Sequence, residues 1–185
     1  MKKVIVVSYD ENWQAEFEQI RDELAVALGE LIIDIEHVGS TAVPWLCAKP
    51  IIDIDVVIKD YNVFETVKSS LAEIGYVHEG DLGIKDRHAF KYDGKPHLMR
   101  HHLYVCPKYS EELKRHITFR DYLRGNQADR KWYDTVKRQA ANRYPEDMES
   151  YMIAKSSCIV EILEKCCSGA DYSMKINYKI NADGY

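Results

Sequence analysis

The sequence predicts an α+β fold, in which a mixed β-sheet with helices is followed by a C-terminal helical subdomain. Short β-branched segments alternate with two amphipathic helices up to residue 109, and beyond Tyr109 the pattern has a helical period throughout. No Pro-, Gly- or Ser-rich linker divides the 185 residues, so the two parts are expected to pack as one unit. We therefore assign residues 1–109 to the core, 110–167 to the helical subdomain and 168–185 to a polar tail.

The first half of the chain is predicted to open with a strand, Lys3–Val7, and a helix that ends at Gly29. The apolar side chains of this helix recur at spacings of three and four residues and share one face: Trp13, Phe17, Ile20, Leu24 and Leu28. A strand is predicted at Leu31–Val38, where apolar and acidic residues alternate. Another is predicted at Pro50–Ile58, which is almost wholly apolar and is therefore expected inside the sheet.

A second helix, closed by Gly75, presents an apolar face made of Val63, Phe64, Val67, Leu71 and Ile74. Short strands are predicted at Tyr76–His78 and His88–Tyr92. Asp93-Gly94 then predicts a hairpin turn into a strand at His97–Val105.

Three helices are predicted in the second half, at Ser110–Arg124, Ala128–Arg143 and Pro145–Cys166. Gly125-Asn126 and Tyr144-Pro145 separate them. The tail 168–185 alternates weakly, and we expect it to be disordered or to add a strand.

Composition and charge exclude several classes of protein. Apolar residues make up 46% of the chain, but the longest apolar runs are far shorter than the roughly 20 residues that a membrane span needs, so we expect a cytoplasmic protein with no membrane partner. The net charge of −5 argues against general nucleic-acid binding. Residues 114–143 nevertheless hold nine Lys or Arg and three Asp, a net charge of +6. This segment is either a solvated helix face or a basic wall that faces an anionic ligand.

The cysteines predict reduced thiols that fill the core. Their number is odd and no Cys-x-x-Cys pair occurs, which disfavours both a disulfide framework and a metal site. They are Cys47, Cys106, Cys158, Cys166 and Cys167.

The residues that point to chemistry lie between His37 and Asp55. Asp53 and Asp55 are two apart on a predicted strand, so both side chains project to the same side. Two carboxylates about 7 Å apart repel each other, and a divalent cation with oxygen ligands is a common compensation. The alternative is a pair of edge acids that face water, which the flanking Ile and Val residues disfavour.

A Gly-Ser turn, Gly39-Ser40, follows the previous strand, and twelve residues separate Ser40 from Asp53. Glycine permits close backbone approach, and the Ser40 hydroxyl with neighbouring N–H groups, including that of Thr41, can hold a phosphate. Lys49 adds a cation beside the acids. The combination predicts metal-assisted nucleotidyl chemistry, whereas a Gly-Ser pair alone is often a plain turn.

The chain resembles the GrpB family, a branch of the nucleotidyltransferase superfamily typified by polymerase beta. The resemblance covers about residues 4–165. Its motifs are Tyr9-Asp10-x-x-Trp13, Ile35–Pro44, Ala48–Ile54, Gly75-Tyr76, Arg87, Phe90, His101–Val105 and Phe119–Arg124. Two positions depart from the family pattern, because Trp45 stands in place of glycine and Cys47 in place of alanine. Trp45 either stacks on a nucleobase or narrows the pocket.

The resemblance implies a nucleotidyltransferase-like sheet in which Asp53 and Asp55 bind Mg²⁺ or Mn²⁺ while Gly39 and Ser40 hold the triphosphate. Active members of the superfamily use a third acid on a neighbouring strand, and the strand expected there carries His101 and His102. The histidines point to opposite faces of a regular strand, so one of them is a candidate base or metal ligand. A structural hydrogen-bonded role is the alternative, and Glu36 is another stand-in for the third acid.

Arginines supply candidate phosphate ligands. Arg87 lies just before a predicted strand, and Arg120 and Arg124 share one face of a helix. The pair suits a triphosphate or an acidic acceptor, although pairing with Asp121 would make it structural.

The predicted function is transfer of a nucleoside monophosphate from a nucleoside triphosphate, ATP being the first candidate, to a small acceptor that the sequence does not identify. The main alternative is a catalytically degenerate nucleotide- or metal-binding accessory module. Its link would be to coenzyme A metabolism, since members of the resembled family occur fused to dephospho-CoA kinase. A weaker alternative is a metal-dependent phosphohydrolase. Oligomeric state is not predicted.

Overall fold

The computed structural model of the chain describes residues 3–167. Five helices are present in this range: α1 Asn12–Leu28, α2 Phe64–Glu73, α3 Glu111–Gly125, α4 Gln127–Arg143 and α5 Met148–Cys167. Five strands are present: β1 Asp34–Val38, β2 Ile52–Ile58, β3 Tyr76–Gly80, β4 His88–Tyr92 and β5 His101–Pro107. The predicted α+β class is therefore confirmed. The predicted tail 168–185 lies outside the described residues.

The five strands form one mixed sheet in the order β1-β2-β5-β4-β3. β2 and β5 are parallel, and the other neighbouring pairs are antiparallel. β2 has a strand on either side, and six of its seven residues are buried. Its apolar sequence thus reflects a position inside the sheet, as predicted.

Alternate residues of β2 face two different layers of helix. Ile52, Ile54 and Val56 pack with α1 and α2 in the main hydrophobic core. Val57 faces the other way and packs with Leu113 of α3. Asp53 and Asp55 have the same parity as Val57, so they project toward α3.

The helical subdomain packs against the loop that precedes β2. Val43 and Leu46 of this loop join a hydrophobic cluster with α3, α4 and α5. A smaller cluster joins Val4 to Ala140 and Met152. Of the helices between residues 3 and 167, none combines the length and the apolar composition that crossing a membrane requires.

Two predicted strands differ from those observed. Lys3–Val7 is not a strand, because its pairing is limited to one bridge between Val7 and Ala48 and a bond from Val4 to the Pro145 carbonyl. The strand predicted from His97 begins at His101 instead. Lys95 and His97 bond to Glu23 of α1, which holds this segment against the helix rather than in the sheet.

The remaining differences between the predicted and observed boundaries of helices and strands are smaller. A 3₁₀ turn at Gly29–Leu31 delays β1 to Asp34, and α5 begins at Met148 rather than at 145. Cys47, Cys106 and Cys158 are buried free thiols, as predicted.

Trp45 occupies a backbone conformation that favours glycine. It follows Pro44 in a turn closed by the Leu46 N–H and the Val43 carbonyl at 3.2 Å, and its φ is 65°. Positive φ at the second central position is the requirement of a type II turn, where glycine is preferred.

We expect Trp45→Gly to be more stable than Trp45→Ala by about 1 kcal/mol, because only alanine keeps the steric strain of a left-handed residue. Both variants lose the contact of the indole with Arg130, so this contact cancels in the comparison. Urea unfolding of the two variants measures the difference. Equal midpoints would mean that the turn relaxes when the indole is removed.

Candidate functional site

The Gly39 turn lies directly against the carboxylate of Asp53. β1 ends at Val38, Gly39 has φ 71° and ψ −168°, and a 3₁₀ turn follows at Ser40–Ala42. A Cβ atom on Gly39 would lie 2.3 Å from Asp53 Oδ2, which is far inside van der Waals contact. Only glycine therefore allows both this backbone conformation and this approach.

Asp53 and Asp55 share the face of the sheet that α3 covers. The Asp53 side chain is 17% exposed, whereas Asp55 is completely buried. In the parallel pair with β5, Asp53 stands beside His102 and Asp55 beside Tyr104. The two acids share one face, as strand alternation predicts, and the register with β5 shows that His102, rather than His101, lies on that face.

Each carboxylate is paired with an imidazole. His102 Nδ1 lies 2.9 Å from Asp53 Oδ1, and His116 Nδ1 of α3 lies 2.5 Å from Asp55 Oδ2. His116 Nε2 is also 3.0 Å from Glu112 Oε1, so this buried ring bridges two carboxylates. The acids thus have protein partners on the α3 side of the sheet.

The pKa of Asp53 lies below its usual value. Burial raises this pKa, but the hydrogen bond and charge of His102 lower it more, with contributions from Lys49 and His116. The pKa of Glu112 is likewise held low, because His116 and two arginines outweigh the effect of burial. Both carboxylates are therefore favoured in the ionised form at neutral pH.

His101 points to the opposite face of the sheet. Its Nε2 is 2.7 Å from the Tyr76 hydroxyl, its Nδ1 is 2.8 Å from the Met99 carbonyl, and its ring stacks on Tyr92. Burial lowers its pKa to about 4. Both ring nitrogens are occupied by structural partners, so we do not include His101 in the proposed site.

The other residues of the turn are held in different ways. Thr41 Oγ1 is 3.0 Å from His37 Nε2, and its hydroxyl also approaches the Ile51 carbonyl at 3.4 Å. Thr41 thus fixes the turn rather than presenting its hydroxyl to a ligand. Ser40 is buried at the start of the 3₁₀ turn, and half-buried Lys49 lies close enough to Asp53 to lower its pKa.

Arg120 and Arg124 share one face of α3, as predicted, and both reach the end of β1. Arg120 bonds to Glu36 at 2.5 Å, to the His37 carbonyl at 3.0 Å and to Asp121. Arg124 bonds to the Ala42 carbonyl at 2.9 Å, and its side chain is 40% exposed. Arg120 therefore connects α3 to Glu36 and His37 of β1. Arg124 connects α3 to the turn at Ala42 and is partly exposed to solvent.

Arg87 is buried beside Tyr104 and Glu112. Its guanidinium carbon lies 4.3 Å from the centre of the Tyr104 ring, and its Nη1 is 3.9 Å from Glu112. Its Nε and Nη2 make no hydrogen bond to the described residues. The structure thus places Arg87 between Tyr104 of β5 and Glu112 of α3.

Sequence reasoning missed His116. A signal was available, because the buried positions of α3 follow a spacing of three and four residues that includes it: Leu113, His116, Arg120 and Leu123. Polar residues at core positions of a helix indicate buried partners.

The carboxylates alone do not form a complete site for a divalent cation. Within residues 3–167, no group of three or more His, Cys, Asp or Glu side chains is arranged to hold a metal ion. Asp55 Oδ1, however, is buried and lacks a hydrogen-bond partner within that range. Mg²⁺ often takes only one or two carboxylates and completes its shell with water and substrate phosphates. Asp53 and Asp55 therefore fit a cation that binds together with a phosphate ligand.

Several known proteins are similar to this chain over nearly the whole of the described range. Glutamate-rich protein GrpB of Alkalihalophilus pseudofirmus is 35% identical over 88% of this chain and 95% of its own length. UPF0157 protein YqkA of Bacillus subtilis is 31% identical over 85% of this chain, which spans only 46% of YqkA. A dephospho-CoA kinase of Mycobacterium bovis is 25% identical over 90% of this chain and 46% of the kinase.

Two solved structures are similar to the fold of this chain. The crystal structure of GrpB from Enterococcus faecalis has a TM-score of 0.74 and 33% identity, and covers 87% of this chain and 98% of its own. The structure of the GLD-2/RNP-8 complex has a TM-score of 0.54 and 14% identity, with 89% and 62% covered, which shows likeness to the nucleotidyltransferase fold alone. Residues 3–165 match the sequence profile of the family described as GrpB protein. The chain belongs to the GrpB family.

Proposed function

We propose that this chain binds a nucleoside triphosphate with Mg²⁺ or Mn²⁺ and transfers the nucleoside monophosphate to a small acceptor. The observation that carries this proposal is the contact between Gly39 and Asp53. It brings a turn suited to phosphate binding against one of two carboxylates on the same face of a nucleotidyltransferase-like sheet.

The residues around the turn have separate roles in this proposal. Asp53 and Asp55 hold the cation, which when bound neutralises charge on the phosphates. Backbone N–H groups of the turn donate to phosphate oxygens, and the Ser40 hydroxyl adds a donor. Lys49 and Arg124 supply positive charge: Arg124 is fixed to the Ala42 carbonyl, and Lys49 lies close enough to Asp53 to lower its pKa.

His102 is the proposed base for the acceptor hydroxyl. Its Nδ1 bond to Asp53 orients the ring, and its side chain is 25% exposed. A groove of about 380 Å³ runs along β3, β4 and β5 beside it, with Leu82, Arg100 and Tyr104 among its lining residues. An acceptor in this groove would reach His102 without passing α3.

The second candidate is an accessory module that binds nucleotide without turnover. Two observations favour it: β5 carries His102 rather than a carboxylate beside Asp53, and His116 already engages Asp55 in a buried bond. The similarity to a dephospho-CoA kinase supports a role beside such an enzyme, because the matched region covers less than half of that protein.

Asp53→Asn tests the proposed site. We expect Mg²⁺-dependent binding of ATP, GTP, CTP or UTP to weaken at least tenfold, because the amide cannot supply the charge that a cation requires. The melting temperature should fall only slightly, since the amide oxygen still accepts a bond from His102. Calorimetry with and without Mg²⁺ or Mn²⁺ measures the affinity, and Asp22→Asn, an exposed residue of α1, is the matched control.

The products then separate the candidates. Release of pyrophosphate in an acceptor screen supports the transferase, whereas release of orthophosphate identifies a hydrolase. Metal-dependent binding with neither product supports the accessory module. Unchanged nucleotide affinity in a folded Asp53→Asn protein would reject the site itself.

A further inference from the structure

The helical subdomain buries two lysine side chains next to the loop that leads into β2. Lys137 of α4 is 1% exposed and Lys155 of α5 is 0% exposed. Lys137 Nζ donates to the Cys47 carbonyl at 2.5 Å. Lys155 Nζ has no hydrogen-bond partner among the described residues. A buried amino group without an acceptor is rare in folded proteins and requires a reason.

The described residues around Lys155 do not supply the missing acceptor. Lys155 Nζ lies 5.3 Å from the centre of the Tyr151 ring, and the Tyr151 hydroxyl also lacks a hydrogen-bond partner within residues 3–167. Tyr151 packs with Val4, Ala140 and Met152 in an apolar cluster. Two polar groups are thus left unsatisfied in the same small region, which indicates that a polar ligand belongs there.

The positive charges of Lys49, Lys137 and Lys155 repel one another. Burial lowers the pKa of Lys137 to about 8, and it lowers that of Lys155 well below its usual value, with further lowering by Lys137 and Lys49. The negative charge of Asp53 raises the pKa of both buried lysines. The lysines are therefore coupled to the candidate site, and a further anion would relieve their mutual repulsion.

We propose that Lys137 and Lys155, together with Lys49, form an anion subsite that takes the terminal phosphates of a polyphosphate chain. A phosphate oxygen would replace the Cys47 carbonyl as the acceptor for Lys137 and would give Lys155 the acceptor that it lacks. The subsite rests on the proposed function and specifies its ligand class, since it selects triphosphates over monophosphates.

The proposed subsite identifies which residue of the basic segment 114–143 would contact an anionic ligand. Most of its cations are exposed or paired with acids, for example Arg138 with Asp134. Lys137 instead points inward, beside the loop that joins the Gly39 turn to β2. The predicted basic wall thus faces an anionic ligand chiefly through this lysine.

Calorimetry with inorganic tripolyphosphate and no metal tests the subsite in the full chain. We expect Lys155→Met to weaken tripolyphosphate binding at least tenfold, because methionine fills the volume without an amino group. Lys131→Met removes an exposed lysine from α4 and is the matched control, with an expected change of less than twofold. Lys137→Met should reproduce the loss, and thermal unfolding verifies that each variant is folded.

Two outcomes are decisive. Folded Lys155→Met and Lys137→Met proteins that bind tripolyphosphate like the wild type would overturn the subsite. Wild-type tripolyphosphate binding that persists in Asp53→Asn but is lost in Lys155→Met would support it, even if no nucleotide is turned over. The subsite and the proposed transferase activity therefore fail or succeed separately.

Discussion

Gly39→Ala is expected to disable the candidate site and to destabilise the fold by at least about 2 kcal/mol. The backbone at Gly39 is in a region that only glycine occupies readily, with φ 71° and ψ −168°. The new Cβ would also lie 2.3 Å from Asp53 Oδ2, so the turn or the carboxylate must move. We expect Mg²⁺-dependent nucleotide binding to become undetectable by calorimetry.

Gly29→Ala is the matched control for this substitution. Gly29 also has a positive φ, 49°, but no atom outside its chain neighbours lies within 4 Å of the position that the new methyl group would take. This variant therefore carries the backbone strain without the contact, and should lose about 1–2 kcal/mol of unfolding free energy while retaining nucleotide binding. Equal effects of the two substitutions on binding would contradict the role assigned to the contact.

The second large effect is expected on acidification. Burial lowers the pKa values of both His37 and His101 to about 4, against about 6.5 in an unfolded chain. The native state favours the neutral rings, so their contribution is complete above pH 6.5 and is lost as the pH falls toward 4. Each ring contributes about 3 kcal/mol on this basis, and unfolding free energies measured from pH 7 to pH 4 should fall accordingly.

The control for this prediction replaces His101, whose neighbours are known. His101 contacts Tyr76, Tyr92 and the Met99 carbonyl, with Lys95, Glu23 and His102 acting through their charges. His101→Gln keeps a donor and an acceptor but does not titrate, so the slope of stability against pH should be shallower than that of the wild type by the contribution of this one ring. A wild-type stability that is constant from pH 7 to pH 4.5 would contradict the assignment for both rings.

His37 has a different environment and should account for a further part of the slope, beside smaller contributions from His78 and His88, whose pKa values burial also lowers. Its ring stacks on Phe17 at 4.6 Å and bonds to Thr41, while Asp53, Arg124 and Arg120 act on its charge. Protonation of this ring would disturb the partner that fixes Thr41. Acid should therefore loosen the Gly39 turn as well as weaken the fold.

Local periodicity was sufficient to predict much of the sheet and the faces on which the acidic and histidine side chains of its strands lie. Strand alternation placed Asp53 and Asp55 on one face and separated His101 from His102, because successive residues of a strand alternate regardless of the surrounding fold. The helix that ends at Gly29 was also correct, since its apolar spacing and its stop signal are local.

Features that depend on distant partners could not be predicted in this way. Lys3–Val7 has the composition of a strand but, among residues 3–167, lacks a neighbouring strand to pair with along its length. The start of β5 depends on Glu23, which lies more than 70 residues earlier in the chain and binds Lys95 and His97. His116 reaches Asp55 from a helix 61 residues away, so its role follows only from the packing of α3.

The parallel pairing of β2 with β5 has a consequence for how the chain acquires its site. Asp53 and His102 are 49 residues apart, and the intervening segment contains α2, β3 and β4. Closing so long a loop costs chain entropy before the contact compensates for it, so such contacts are made late and slow the folding rate. The β4–β5 pairing is local by comparison. A partly folded or nascent chain that has reached β4 can therefore hold ordered structure before the candidate site is assembled, and we expect nucleotide affinity only after β5 and the C-terminal helices have been added.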